Sequence, residues 1–151
     1  MEALLVSACL LGAPCRYDGK SKPNPKIPLL LDKYSVIPVC PEVLGGLPTP
    51  RLPSERVGER VLMRDGSDVT DNFKRGANEA LQLCRLHNCK KALLKKNSPS
   101  CSNRAVYDGS FSGTLREGLG VTAELLLENG IEVFSEDEID SLLLVGLIRT
   151  P

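Results

Sequence analysis

Cysteine is the side chain here best equipped for chemistry, and its placement along the chain is uneven. Of the six cysteines, Cys84 falls on an apolar helical stripe with Phe73, Ala77, Ala80 and Leu81, where a free thiol packs like a small hydrophobe. Cys89 follows the end of that helix and reads as structural. Cys9, Cys15 and Cys101 sit instead among Gly, Pro, Arg and Ser, in segments that packing explains poorly. Cys40 ends a β-branched run and reads either as core or as the edge of a site. Beside them stand Glu42, in Cys40-Pro41-Glu42, and Ser98 and Ser100, in Ser98-Pro99-Ser100-Cys101. Thiolates hold soft metals, a carboxylate can carry a proton, and a hydroxyl can orient a ligand. A closed zinc site takes four ligands, usually with C-x2-C spacing, and no such pair occurs; the single histidine, His87, lies at a helix end and reads as exposed. Two readings of the three thiolates stay open: a zinc site with one open position, or an iron–sulfur cluster with one iron free of protein.

Secondary structure must bring these residues together. Ala3 to Ala8 and Tyr34 to Val39 are short apolar or β-branched runs, as buried strands are. Between them lie a long loop from Leu11 to Pro28 and a short helix over Leu29 to Asp32. Pro41 to Pro53 reads as irregular. Arg60 to Met63 and Asp68 to Val69 flank Asp65-Gly66, a hairpin signal. Thr70 or Asp71 is expected to cap a helix that stops at Asn88. Lys91 to Lys95 is a third core strand, and Asn97 to Gly118 is read as loop. A helix over Leu119 to Asn129 ends at Gly130, a fourth strand covers Ile131 to Phe134, and Ser135 with Glu138 forms a capping box for a last helix. Alternating strands and helices predict a single α/β domain, a mainly parallel, Rossmann-like sheet with helices on its faces and a short hairpin insertion. Residues 1–144 form that domain and 145–151 read as a variable tail. Ligands of such sheets bind beyond the carboxyl ends of the strands, where Cys9 and Cys15, then Cys40 and Glu42, then Ser98 to Cys101 all emerge.

Composition narrows the class further. The chain has 151 residues, 42% hydrophobic and 25% charged, with 19 basic against 19 acidic side chains. That balance argues against a non-specific binder of nucleic-acid duplexes or membrane surfaces. Apolar runs stay short of the roughly 18 residues that span a bilayer. Met1 to Leu11 reads as a strand, not as a signal peptide. The cysteines are therefore expected to face a reducing, cytoplasmic compartment.

Four segments, taken in order, carry a resemblance: Ser7-Ala-Cys-Leu-Leu-Gly12, Cys15-Arg-Tyr-Asp-Gly19, Val39-Cys-Pro-Glu-Val-Leu-Gly-Gly-Leu-Pro-Thr-Pro-Arg51 and Lys95-Lys-Asn-Ser-Pro-Ser-Cys101. Together they resemble the DUF523 family, whose characterised members are thiouracil desulfidases, and the likeness extends to about Leu144. The resemblance implies a 4Fe–4S cluster on Cys9, Cys15 and Cys101. It also implies substrate roles for Glu42 and Ser98, with Ser100 as the alternative serine. Ser102 stands where such proteins often have glycine. The implied reaction is hydrolytic and non-redox. Glu42 handles the water and its proton, Ser98 orients the ring, and the partner is a thiolated pyrimidine or its nucleotide. Arg16, Arg51, Lys95 and Lys96 lie in or beside the same loops and suit a phosphate, as would the amides of the helix starting near Leu119. The alternatives are another cluster-dependent sulfur-transfer or redox enzyme, or a non-catalytic metal- or nucleotide-binding module.

Overall fold

The computed structural model describes residues 1–148, with 145–148 given as helix backbone only. Its centre is a four-stranded, all-parallel sheet built from β1 (Glu2–Ser7), β2 (Tyr34–Val39), β5 (Lys91–Leu93) and β8 (Glu132–Phe134). The strands lie in the order β2-β1-β5-β8. Successive residues of a strand face opposite sides, and β1 shows it directly. Leu5 packs with Ala92, Ala80, Leu81, Cys84 and Leu126 on one face. Leu4 and Val6 pack with Leu10, Ile27, Leu30, Ile139 and Leu142 on the other. Helices α3 (Thr70–His87) and α4 (Val121–Glu128) cover the first face; α1 (Ile27–Leu31) and α5 (Ile139–Ile148) cover the second. Because β1 is central and the chain leaves it first to β2 and later to β5, the strand order reverses beside β1. A crevice opens at such a switch point, beyond the carboxyl ends of the strands.

The expected α/β architecture holds, with corrections to its details. Pro41 to Pro53 is not wholly irregular: α2 (Pro41–Leu44) begins there, with Pro41 in its first turn, where a missing N–H costs nothing. β4 (Arg60–Met63) pairs antiparallel with β3 (Ser54–Val57), whereas Asp65-Gly66 closes only a tight turn bridging Leu62 and Asp68. Neither Thr70 nor Asp71 caps α3. Val69 holds the cap position, and the Thr70 hydroxyl instead accepts from the Val61 amide at 2.9 Å. The stretch read as loop from Asn97 contains a second hairpin, β6 (Ala105–Tyr107) with β7 (Leu115–Glu117). Asn88 in the left-handed region and the Ser135–Glu138 capping box stand as expected. The segment expected as a tail from 145 begins inside α5, and 149–151 lie outside the described residues. No helix among the described residues is long and apolar enough to cross a membrane.

Contact between α2 and α3 is backbone on backbone. A Cβ at Gly76 would sit 1.9 Å from the Pro41 carbonyl oxygen, and one at Gly45 would sit 2.0 Å from that of Asn72. Asn72 Nδ2 also donates to the Gly45 carbonyl at 2.9 Å. Glycine at both positions lets α2 lie flat on α3, and α2 carries Glu42.

Candidate active site

A cavity of about 370 Å³ opens at the switch point, and Cys9, Cys15, Cys40 and Cys101 all line it. β1 delivers Cys9 through a 3-10 turn over Ala8–Leu11, closed by Gly12 at φ 106°. That turn is fixed by its own backbone, since the Cys9 carbonyl accepts from the Gly12 and Lys22 amides. β2 ends at Val39, and the extended Cys40 that proline requires before it starts α2. β5 leads into the Ser98–Cys101 loop, which is locked from several sides. Ser98 Oγ accepts from the amides of Ser100 and Cys101, both at 3.1 Å. The first amides of α4 donate into the same loop: Val121 to the Pro99 carbonyl, Thr122 and Ala123 to that of Ser100. Gly120 permits this approach, because a Cβ there would meet the Ser100 carbonyl carbon at 2.4 Å.

The thiols are mutually close; Cys9 and Cys101 are buried, and Cys15 and Cys40 are half-buried. Burial pushes the Cys9 thiol up to about 12, with the neighbouring Cys101 and Cys15 adding to the rise and Lys95 opposing it. Cys15 is pushed up to about 12, first by burial and then by Cys40. Cys101 rises to about 11 by burial, against hydrogen bonds from Ser100 and Ser7 that favour its thiolate. Ser7 Oγ stands 3.6 Å from Cys101 Sγ and accepts from the Lys95 amide at 2.9 Å, tying the ends of β1 and β5 to that thiol. Cys40, left open between core and site, faces the cavity and donates from Sγ to the Cys15 carbonyl at 3.8 Å. Cys84 and Cys89 are buried in the core, and His87 is exposed.

Glu42 sits between a cation and a hydroxyl. Arg51 Nε donates to its Oε1 at 3.1 Å, and Ser100 Oγ donates to its Oε2 at 3.1 Å. The Arg51 side chain is only 3% exposed and also reaches the Cys15 carbonyl at 3.0 Å, Thr49 Oγ1 at 3.1 Å and the Pro48 carbonyl at 3.2 Å. The Ser98 and Ser100 hydroxyls are 2.9 Å apart. With both acceptor sites of Ser98 Oγ taken by amides, its remaining capacity is one proton to give.

The phosphate candidates fare differently from one another. Arg51 is spent on Glu42 and the loops, Lys95 pairs with Glu136 at 2.9 Å, and Lys96 pairs with Asp137. The α4 amides are consumed by the Ser98–Cys101 loop, so that end of the helix offers none to a phosphate. Arg16 remains at the cavity with its guanidinium over the Tyr17 ring. Ser102 has no positive φ, and its hydroxyl accepts from the Arg104 and Ala105 amides, so glycine is not needed there. Sequence reasoning missed Glu55, Arg64, Tyr107 and Phe111, which also line the cavity. They arrive on or beside the two hairpins, of which the sequence marked only the strand Arg60–Met63 and not its partner or the second pair.

A model of the family described as 2-thiouracil desulfurase matches residues 4–138. The uncharacterized protein YbbK of Bacillus subtilis (strain 168) is 39% identical over 150 residues, covering 93% of this chain and 99% of its own. A solved structure described as the 4Fe–4S-dependent thiouracil desulfidase TudS (DUF523Vcz) is 47% identical, with a TM-score of 0.92 over 98% of this chain and 99% of that one. The donor set here suits such a cluster. Cys9, Cys15 and Cys101 reach the one cavity from three separate segments of the chain. Thiols spread around a cavity suit a larger group that takes each ligand on a different iron.

Proposed function

The chain belongs to the 2-thiouracil desulfurase family, and from that premise we propose that it is a 4Fe–4S-dependent desulfidase converting a thiolated uracil, as free base or nucleotide, to uracil. One observation carries the reading: a carboxylate, a hydroxyl pair and the Cys9, Cys15 and Cys101 thiols line one cavity at the switch point of the sheet. Cys9, Cys15 and Cys101 would hold the cluster. When bound, it supplies an iron without a protein ligand, a Lewis acid for the sulfur of the substrate.

The residues of the chain do the rest. Glu42 takes a proton from water, whose oxygen attacks the ring carbon as the carbon–sulfur bond breaks. A thiocarbonyl and one water are consumed, and a carbonyl and one hydrogen sulfide are formed. Both protons of the water leave with the sulfur, its oxygen stays on the ring carbon, and there is no net electron transfer. Arg51 holds Oε1 and so leaves the Oε2 side, where Ser100 sits, turned to the reaction. Ser98 gives its one proton either to Ser100 Oγ or to an acceptor on the ring. Lys95, beside Cys9 and paired with Glu136, sets a positive charge near the thiolates. Setting, compartment and partners follow the sequence reading: a cytoplasmic enzyme acting on a small molecule without nucleic acid or membrane.

The test is anaerobic reconstitution, iron and sulfide assay, and incubation with thiouracil and its nucleotide. A brown protein with about four irons per chain that forms uracil and sulfide bears out the reading. A protein that takes up the cluster and leaves both compounds intact overturns it. Glu42→Gln should keep the cluster and lose about 10²–10⁴-fold in turnover; full activity in that variant would remove Glu42 from its role.

A further inference from the structure

The loop joining β6 to β7 carries an aromatic side chain where glycine would be easier. Gly109 and Gly113 both have positive φ, 95° and 78°, as glycine allows. Phe111, between them, is held at φ 56°, a region bulky residues avoid. The loop is built to keep it there. Glu55, buried on β3 and lining the same cavity, receives at Oε1 the amides of Gly109 at 2.9 Å and Phe111 at 3.1 Å. The Asp108 amide donates to the Thr114 carbonyl, and Ser110, Ser112 and Thr114 hydroxyls follow one another at hydrogen-bond distance.

Packing does not account for the ring. Phe111 is half-buried and belongs to none of the apolar clusters of the core among the described residues. It lines the cavity instead, with the Arg64 guanidinium 5.7 Å from its ring centroid. Backbone strain that buys no core contact tends to mark a functional site. A cation over an aromatic ring fixes the ring's orientation, and a fixed, flat, apolar surface suits a flat heterocycle.

Resting on the desulfidase reading, we propose that Phe111 is the specificity-determining wall against which the pyrimidine ring stacks, held in its strained conformation by Glu55 and backed by Arg64. Glu42, Ser98 and Ser100 meet the reacting edge of the ring; Phe111 meets its face. The site then selects for planarity and aromatic character, and saturating the ring of a substrate costs binding even when its sulfur is retained.

Phe111→Gly tests this, because glycine adopts φ 56° freely and removes only the ring. In the reconstituted holoenzyme, Phe111→Gly should keep the cluster absorbance and keep or raise the melting temperature. Its KM for thiouracil should rise about tenfold or more, the range seen when a base loses its aromatic partner. Phe111→Tyr should restore KM. The chain has no tryptophan, so emission from the Phe111→Trp holoenzyme reports on this position alone and should be quenched by uracil, which has no sulfur. An unchanged KM in Phe111→Gly overturns the proposal, as does a lowered melting temperature, which would make the ring structural. Emission of Phe111→Trp indifferent to uracil also overturns it. Wild-type enzyme inactive on thiouracil would instead sink the desulfidase reading, so the two failures are distinguishable.

Discussion

Arg51 offers the sharpest quantitative prediction, because its side chain joins the carboxylate to the loop that carries Cys15. The Arg51 side chain is 3% exposed and that of Glu42 14%, so the pair is largely shielded from water. Removing one partner of such a pair strands a charge and costs about 3–5 kcal/mol. Arg51→Met also loses the bonds to the Cys15 and Pro48 carbonyls and to Thr49, which places it at the upper end. Glu42→Gln leaves the guanidinium without its counter-charge and falls at the lower end. The double variant strands no charge, and the Cys15, Pro48 and Thr49 bonds, missing from both Arg51 variants, cancel in the cycle. A coupling energy of about 2–3 kcal/mol is expected, within the range found for residues sharing one ion-pair network. At ~2–4 °C per kcal/mol for a chain of this size, Arg51→Met should melt ~10–20 °C lower, and the double variant several degrees above the sum of the singles. Arg51→Lys keeps the charge but cannot span Glu42 and Cys15 together, and should fall between. Circular dichroism on reconstituted protein reads the unfolding, and visible absorbance reads cluster content in the same samples. Additivity within about 0.5 kcal/mol would refute the coupling.

Ser98→Ala should orphan the amides of Ser100 and Cys101 and cost about 1–3 kcal/mol, with cluster loading impaired as well as turnover; a variant with normal loading and stability would show that the loop holds itself. Ser100→Ala removes the hydroxyl that donates to Glu42 and also stands 3.4 Å from Cys101 Sγ, so turnover per bound cluster should fall further than loading does, as kinetics on iron-quantified samples would show. Gly76→Ala forces the Pro41 carbonyl away from α3 and should lower both the melting temperature and the activity through displacement of Glu42; a crystal structure with α2 unmoved would contradict this. Glu138 is half-buried, and burial opposes its ionisation, but hydrogen bonds from Asn103 and from Ser135 win and hold its carboxyl below the ordinary range. The capping box therefore adds stability above the usual carboxylate range and loses it as pH falls through the lowered value. Glu138→Gln should flatten the acid limb of the stability curve, and an unchanged limb would refute the contribution.

Four core strands and the capping box were legible because each is a local signal: Tyr34 to Val39 is β-branched, and Ser135 precedes Glu138 by one helical turn. Of the two hairpins only β4 (Arg60–Met63) was legible; its partner β3 and the whole β6–β7 pair were not. β3 (Ser54–Val57) has Glu55 and Arg56 at its centre, both charged and both buried, and no alternation marks such a strand. Glu55 is buried because it takes the Gly109 and Phe111 amides, and Arg56 because it meets Glu124 and the Leu119 carbonyl. Those partners are more than fifty residues away. Phe111 was invisible for the same reason, since a lone aromatic in a glycine- and serine-rich loop has no period to betray it. Arg51, read as a candidate phosphate ligand, proved to be spent inside the protein.

Sequence alone determined the inventory: a parallel α/β domain, thiols at successive strand exits, and a carboxylate and serines beside them. Those features follow from period, residue type and the rule that strand exits share one edge of the sheet, all of which are local. Only the tertiary structure decided which cation is free and which is spent, which serine stands on Glu42, and which aromatic ring walls the cavity. Charges, hydroxyls and rings take their meaning from partners within a few ångströms, and here those partners arrive from segments far apart in the chain.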